Sequence, residues 1–284
     1  SKIRQALMLR GKNVAKQPAP DDVSVRLIGA SKEIERLKAN IQKVKNLDST
    51  VLLIGESGTG KGVVARELHS ASARRDLPFI HVNCAALPSN LMESELFGHE
   101  KGAFTGAVEN KKGKFELAGK GTLFLDEIGT LEPKLQAKLL IALQERRVER
   151  VGSNKPIPVE ARIIAATNSD LEEAVRRKEF REDLFYRLNV ITIDCPPLRY
   201  RKEDIKLLAL SFIDRFNAKL QKNITSVEPA VWRMFTSYDW PGNVRELENT
   251  IESAIALSNG DVMNEEDLPL RIIIKVNNHI DRDE

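Results

Sequence analysis

The run Gly55-Glu56-Ser57-Gly58-Thr59-Gly60-Lys61 constrains this chain more than any other stretch. It follows the apolar residues Val51–Ile54 and opens an amphipathic stretch, Lys61–Ser70. A G-x-x-x-x-G-K turn in that setting predicts a buried strand, a tight loop and a helix packed back on the strand. Its glycines let backbone N–H groups turn inward around phosphate oxygens, and the helix N-terminus adds a favourable dipole. Lys61 is suited to neutralise β and γ phosphates, and Gly62 and Val63 complete the candidate phosphate-binding segment in the first helical turn. Gly62 departs from the general motif, which has Ser or Thr there to ligate magnesium. It also costs up to about 1 kcal/mol in helix propensity relative to Ala. A glycine-rich turn that binds nothing is the competing reading, and the acidic strand end downstream weighs against it.

That strand end is Asp126-Glu127, closing the run Thr122-Leu123-Phe124-Leu125. In a parallel α/β sheet the C-terminal edge of the strands faces the ligand crevice. An aspartate there can hold Mg²⁺ through water, and the adjacent glutamate can orient or deprotonate an attacking water. Two solvated charges at a strand end are the alternative, weakened by the phosphate loop.

Further apolar runs at Phe79–Val82, Arg162–Ala166 and Val190–Ile193 alternate with helical patterns such as Pro133–Arg146. Near-continuously apolar strands alternating with helices predict a parallel sheet covered on both faces. After Pro196-Pro197 the pattern changes, and 203–218 and 228–258 read as helical. The expected division is a linker or arm at 1–25, an α/β part at 26–196, a smaller all-helical part at 197–271 and a tail at 272–284. Within the tail, Ile272–Ile274 reads as a strand or a fraying end.

Composition narrows the class. With 284 residues, 42% hydrophobic and 30% charged, the chain suits a globular protein with a sizeable core, and a net charge of +3 does not argue for nucleic acid by itself. No apolar run approaches the roughly 18 residues of a membrane span, so a cytoplasmic setting without membrane contact is expected. Cys84 and Cys195 lie far apart and read as reduced core thiols, and the four histidines lack metal-ligand spacing. The chain starts at Ser1 rather than Met, which suggests a piece of a longer protein, and Lys2, Arg4, Arg10, Lys12 and Lys16 before Pro18 and Pro20 suit a linker more than a nucleic-acid arm.

Phe104 sits among Gly102, Ala103, Thr105, Gly106 and Ala107, which give it little to pack against. An aromatic on a glycine-hinged loop is better explained as a contact offered to a partner than as a core residue, though a Phe tucked back onto its own domain is the alternative. With this unbroken G-A-F-T-G-A, preceded by Glu95-Leu96-Phe97-Gly98, and with F-R-E-D-L-F-Y-R-L at 180–188 and W-P-G-N-V-R-E-L at 240–247, the chain resembles the AAA+ ATPase domain of bacterial sigma-54-dependent transcriptional activators, also called bacterial enhancer-binding proteins. The resemblance runs from about Leu27 to Pro269.

The resemblance implies a P-loop NTPase sheet in the order 5-1-4-3-2 with a helical lid, using ATP and Mg²⁺ as cofactors, with Asp126 as metal ligand. It implies that Glu127 and Asp126 are catalytic, that Asn168 is the polar sensor of the γ-phosphate, and that Arg245 is the lid sensor. Arg181 and Arg187 resemble arginine fingers donated by a neighbouring subunit, so activity is expected to require a ring, a hexamer or heptamer. Asn83 matches a position that restrains the catalytic glutamate until partner binding. The G-A-F-T-G-A loop is expected to engage sigma-54 in the closed promoter complex, Phe104 and Thr105 carrying the contact. Enhancer DNA binding and a two-component input part fall outside this fragment. Most activators of this class carry Glu where Gly62 stands. Two rivals stay open: a nucleotide-dependent binding module with weak turnover, and another AAA+ remodelling ATPase, such as a replication or protease-associated motor.

Overall fold

A computed structural model describes residues 26–280. The expectations for the N-terminal arm lie outside that range.

Five parallel strands form the central sheet: β1 (Val51–Ile54), β2 (Phe79–Asn83), β3 (Thr122–Asp126), β4 (Arg162–Thr167) and β5 (Ile191–Asp194). Their spatial order is β2-β3-β4-β1-β5, the 5-1-4-3-2 arrangement expected from the resemblance. Register sets the site: Asn83 lies beside Asp126 across β2 and β3, and Ile54 lies beside Thr167 across β1 and β4. The phosphate loop, the acidic pair and Asn168 therefore leave the sheet at one edge. β4 is buried along its whole length, as a central strand covered on both faces must be.

Helices α1 (Lys32–Val44), α2 (Lys61–Ser70), α3 (Ser89–Phe97), α4 (Lys114–Ala118), α5 (Pro133–Gln144), α6 (Leu171–Arg176) and α7 (Glu182–Leu188) belong to this part. Alternation within each strand divides its core in two. Leu52, Leu123, Leu125, Ile163 and Ala165 pack with α5 and α7, while Val51, Leu53, Phe124, Ile164 and Ala166 pack with α1 and α2. Arg162, buried at the start of β4, donates from its Nη atoms to Val44 O and Lys45 O. It thereby caps the C-terminal carbonyls of α1.

The second part holds α8 (Asp204–Leu220), α9 (Pro229–Ser237), α10 (Asn243–Leu257) and α11 (Leu270–Ile280) around a core with Trp240, Phe235 and Leu247 at its centre. Two sequence expectations change here. The stretch 228–258 is not continuous: Tyr238 is extended, Trp240 has φ 51°, and Pro241-Gly242 starts a new helix. The Trp240 indole, fully buried, donates from Nε1 to Phe235 O and so stabilises the break. Ile272–Ile274 is neither strand nor fraying end but helix. Ile272 and Val276, spaced one helical turn apart, enter the helical core, so the break expected at 271/272 falls inside α11. A two-residue parallel pair, Ser226–Val227 with Val262–Met263, ties the connections together.

Candidate functional site

The phosphate loop is a cradle that holds its own cation. Lys61 is only 6% exposed, and its Nζ donates to Gly55 O at 2.8 Å and Glu56 O at 3.1 Å. Gly58 and Gly60 have φ of 79° and 101°. Nothing stands within 4 Å of where a Gly60 Cβ would be, so the mouth is open on that side. Gly58 is closed in: a Cβ there would lie 2.2 Å from Gly242 O. The turn therefore needs glycine for both its conformation and its contact with the lid.

The start of α10 seals against this loop. Val244 N and Arg245 N both donate to Gly58 O, at 3.0 and 3.3 Å, satisfying free N–H groups of the helix N-terminus. Arg245 Nη1 donates to Ser57 Oγ at 3.1 Å, which puts the expected lid sensor on the phosphate loop. Two residues that the sequence did not single out join them. Arg199 clamps the Glu56 carboxylate with both Nη atoms at 2.8 and 2.5 Å, and Arg201, buried, donates to Thr59 O at 2.9 Å. Arg199 holds the Glu56 carboxyl well below its ordinary value, at about 2, with help from the Asn243 amide.

Asp126 ends β3 and Glu127 follows it, as expected, and Glu127 N donates to Asp126 Oδ1 at 3.0 Å. Glu127 adopts φ 54°, a left-handed turn that swings its side chain out of the strand direction. His81 Nε2 lies 3.7 Å from Asp126 Oδ2, and its ring stacks on Phe124 at 4.9 Å. Burial pushes the Asp126 carboxyl up, but the His81 contact, the Glu127 N–H and the Lys61 charge together hold it below its ordinary value. Asp126 is therefore an ionised acceptor at neutral pH. Residues 81 and 83 share a face of β2, so His81 follows from the register beside Asp126 once the strand order is known.

The donor set fits a nucleotide with magnesium. The cradle supplies N–H groups and one buried ammonium, and Asp126 supplies a single carboxylate, which is how Mg²⁺ is held when phosphates and water complete its shell. Among the described residues no cluster of three or more His, Cys, Asp or Glu could hold a metal by itself.

The other expected site residues are spread more widely. Asn168 is exposed at the end of β4, within a 610 Å³ cleft that Ile54, Gly55, Glu56 and Phe185 also line. Asn83 does not touch Glu127 through a hydrogen bond among the described residues; its Oδ1 accepts from Ala85 N at 2.9 Å and closes its own turn. Arg181 pairs with Asp183 through both guanidinium edges, at 3.0 and 2.7 Å. Arg187 donates to Leu143 O at 3.3 and 3.0 Å. Both arginines are exposed, at the ends of α7, and neither bonds this chain's own phosphate loop.

The G-A-F-T-G-A segment tops a small hairpin, Gly98–His99 with Lys111–Lys112. It is closed by its own backbone: Gly102 N donates to Ala107 O at 2.9 Å and Ala107 N to Phe104 O at 3.0 Å. Ala107 is 7% exposed and lies in the loop's interior. Phe104 is 39% exposed, with its ring centroid 5.0 Å from that of His99 in an edge-on contact. It is thus half offered and half tucked back. Its neighbour Val108, absent from the sequence reading, is 73% exposed. A second hairpin, Arg147–Glu149 with Pro156–Pro158, is clipped alongside: Glu100 N donates to Val151 O and Val151 N to Gly98 O.

This geometry can be set beside known proteins. Residues 27–194 match the model of the sigma-54 interaction domain, and residues 199–283 match the AAA+ ATPase lid domain. The chain belongs to the sigma-54 interaction domain family. ZraR, a transcriptional regulatory protein of Salmonella typhimurium, is 50% identical over 270 residues, covering 95% of this chain and 61% of that protein. A Nif-specific regulatory protein of Bradyrhizobium diazoefficiens is 56% identical over 234 residues, covering 82% of this chain and 40% of its own length. Crystal structures of NtrX from Brucella abortus in complex with ADP and with ATP both superpose with a TM-score of 0.82, at 32% and 34% identity. They cover 96% and 88% of this chain, and 58% and 55% of theirs. The chain thus spans little more than half the length of most of these proteins. It joins the sigma-54 interaction domain to an AAA+ ATPase lid domain in one chain. Among its described residues no helix is long and apolar enough to cross a membrane.

Proposed function

We propose that this domain is an ATP-hydrolysing motor that engages sigma-54 through the G-A-F-T-G-A loop and remodels the closed promoter complex. The observation that carries this reading is the joining of two devices in one body. A phosphate cradle with a buried Lys61 adjoins an ionised Asp126 and Glu127, and a hairpin on the same α/β part presents Phe104 and Thr105 at its tip.

ATP with Mg²⁺ would supply the phosphoanhydride bond whose hydrolysis drives the movement. Lys61 and the loop N–H groups bind and orient phosphate oxygens, and Asp126 holds the cation with water. Glu127, turned out by its left-handed backbone, orients water and accepts its proton. Asn168 orients the reacting end, and Arg245 ties the lid to the loop. Arg181 and Arg187 act on the nucleotide of a neighbouring subunit, as their separation from this chain's own loop supports, so a ring of six or seven copies is the working form. Asn83 restrains Glu127 in a state other than this one, since here it serves its own turn. The setting is cytoplasmic.

The deciding experiment follows ATP turnover against protein concentration. A motor shows specific activity that rises steeply as rings form, lost in Lys61→Ala through failed binding and in Glu127→Ala with binding retained. A second reading, a nucleotide-dependent binding module with little turnover, is favoured by Gly62, where the magnesium-ligating hydroxyl is missing. Nucleotide binding without concentration-dependent turnover would establish that reading instead.

A further inference from the structure

The Glu56 side chain is engaged by the lid, whereas its carbonyl belongs to the cradle. Arg199 grips both carboxylate oxygens, and Asn243 Nδ2 reaches Oε2 at 3.1 Å. Asn243 is completely buried, has φ 53° and uses its whole amide. Its Nδ2 also donates to Ser57 O at 3.0 Å, and its Oδ1 accepts from Leu198 N at 2.8 Å. One side chain thus joins the phosphate loop, the connection from β5 and the first residue of α10. The two following N–H groups close on Gly58 O, and Arg245 lies on the same first turn. A bidentate guanidinium–carboxylate pair fixes direction as well as distance, which a single ammonium contact does not. A shift of the loop at Glu56 therefore shifts the start of α10, and with it the base of Arg245.

We propose that Glu56, Arg199 and Asn243 form a latch that sets where Arg245 stands relative to the phosphate loop, making Arg199 and Glu56 positioning residues for the sensing of bound nucleotide. The latch rests on the ATPase reading above. It acts through Arg245, so its removal must be redundant with the removal of Arg245.

The test measures affinity for a fluorescent ATP analogue in the wild type, Arg199→Ala, Arg245→Ala and the double variant, with thermal unfolding as a check on folding. Each single change is expected to weaken binding about tenfold, and the double variant to be within about twofold of Arg245→Ala, because coupled residues are not additive. Arg199→Lys is expected to fall between the wild type and Arg199→Ala. Losses that multiply to about a hundredfold in the double variant would overturn the latch, since residues acting independently add in free energy. Unchanged affinity in Arg199→Ala would overturn it too. Should Arg199→Ala not fold, Glu56→Gln completes the same cycle with the side chain's shape kept. A wild type that binds no nucleotide would refute the ATPase reading first, and the latch with it.

Discussion

Gly62 is a weakness that the fold does not require. A Cβ there would meet Phe124 at 3.9 Å, an ordinary contact, and the position is helical. Gly62→Ala should therefore stabilise the domain by about 0.5–1 kcal/mol, through helix propensity and a less free unfolded chain. Urea unfolding checks it, and a loss of stability would contradict it. Glu56 gives a pH prediction. Its carboxyl is held at about 2 from an ordinary 4.5, so its contribution is complete above the unfolded value and lost only as pH falls from there through the folded one. The stability difference between wild type and Glu56→Gln should stay flat from about pH 5 to 8. A difference that shrinks between pH 7 and 5 would contradict the pairing. Lys61, Asp126 and Glu127 are legible in the sequence because their chemistry is written in adjacent residues behind an apolar run. His81 and Arg199 are not, because their partners come from a neighbouring strand and from the phosphate loop.

At the scale of elements, the G-A-F-T-G-A loop rests on contacts that can be removed singly. The His99 ring, which shares a 2.7 Å hydrogen bond with Ser94 Oγ, is the surface on which Phe104 half rests. His99→Ala should speed amide exchange across residues 101–108 about tenfold, while β3 exchanges as before, since loops open locally without global unfolding. Equal exchange in the two proteins would show that the loop's own backbone bonds hold it alone. The neighbouring hairpin adds a second support: a Cβ on Gly152, which has φ 83°, would lie 2.7 Å from Ala103 Cβ. The strands are legible because apolar runs and the G-x-x-x-x-G-K turn are local patterns, whereas the order of the sheet comes from the family resemblance. The end of the chain is not legible. Ile272–Ile274 carries three β-branched residues in a row, and only the apolar face of the lid core, which takes up Ile272 and Val276, makes them helical. The burial of Ala107 is not legible either, since it shares a motif with exposed residues but forms the closing bond of the turn.

At the scale of the whole molecule, the two parts meet through hydrogen bonds between the phosphate loop and α10. In the proposed motor another copy supplies the arginines that complete the site. Arg187, held here by Leu143 O, should be dispensable for nucleotide binding and required for turnover. Arg187→Ala is expected to lose about 10³-fold or more in assembly-dependent hydrolysis, the range of a trans-acting finger. Unchanged turnover would remove it from the mechanism. In the proposed motor, ATP chemistry at one edge of the sheet governs the G-A-F-T-G-A loop. Capture of purified sigma-54 by this domain with ATP, ADP or ADP and aluminium fluoride tests it most directly. A stable complex is expected with the transition-state mimic alone, abolished by Thr105→Ala while ATPase activity persists. Binding that ignores the nucleotide, or survives Thr105→Ala, would contradict it.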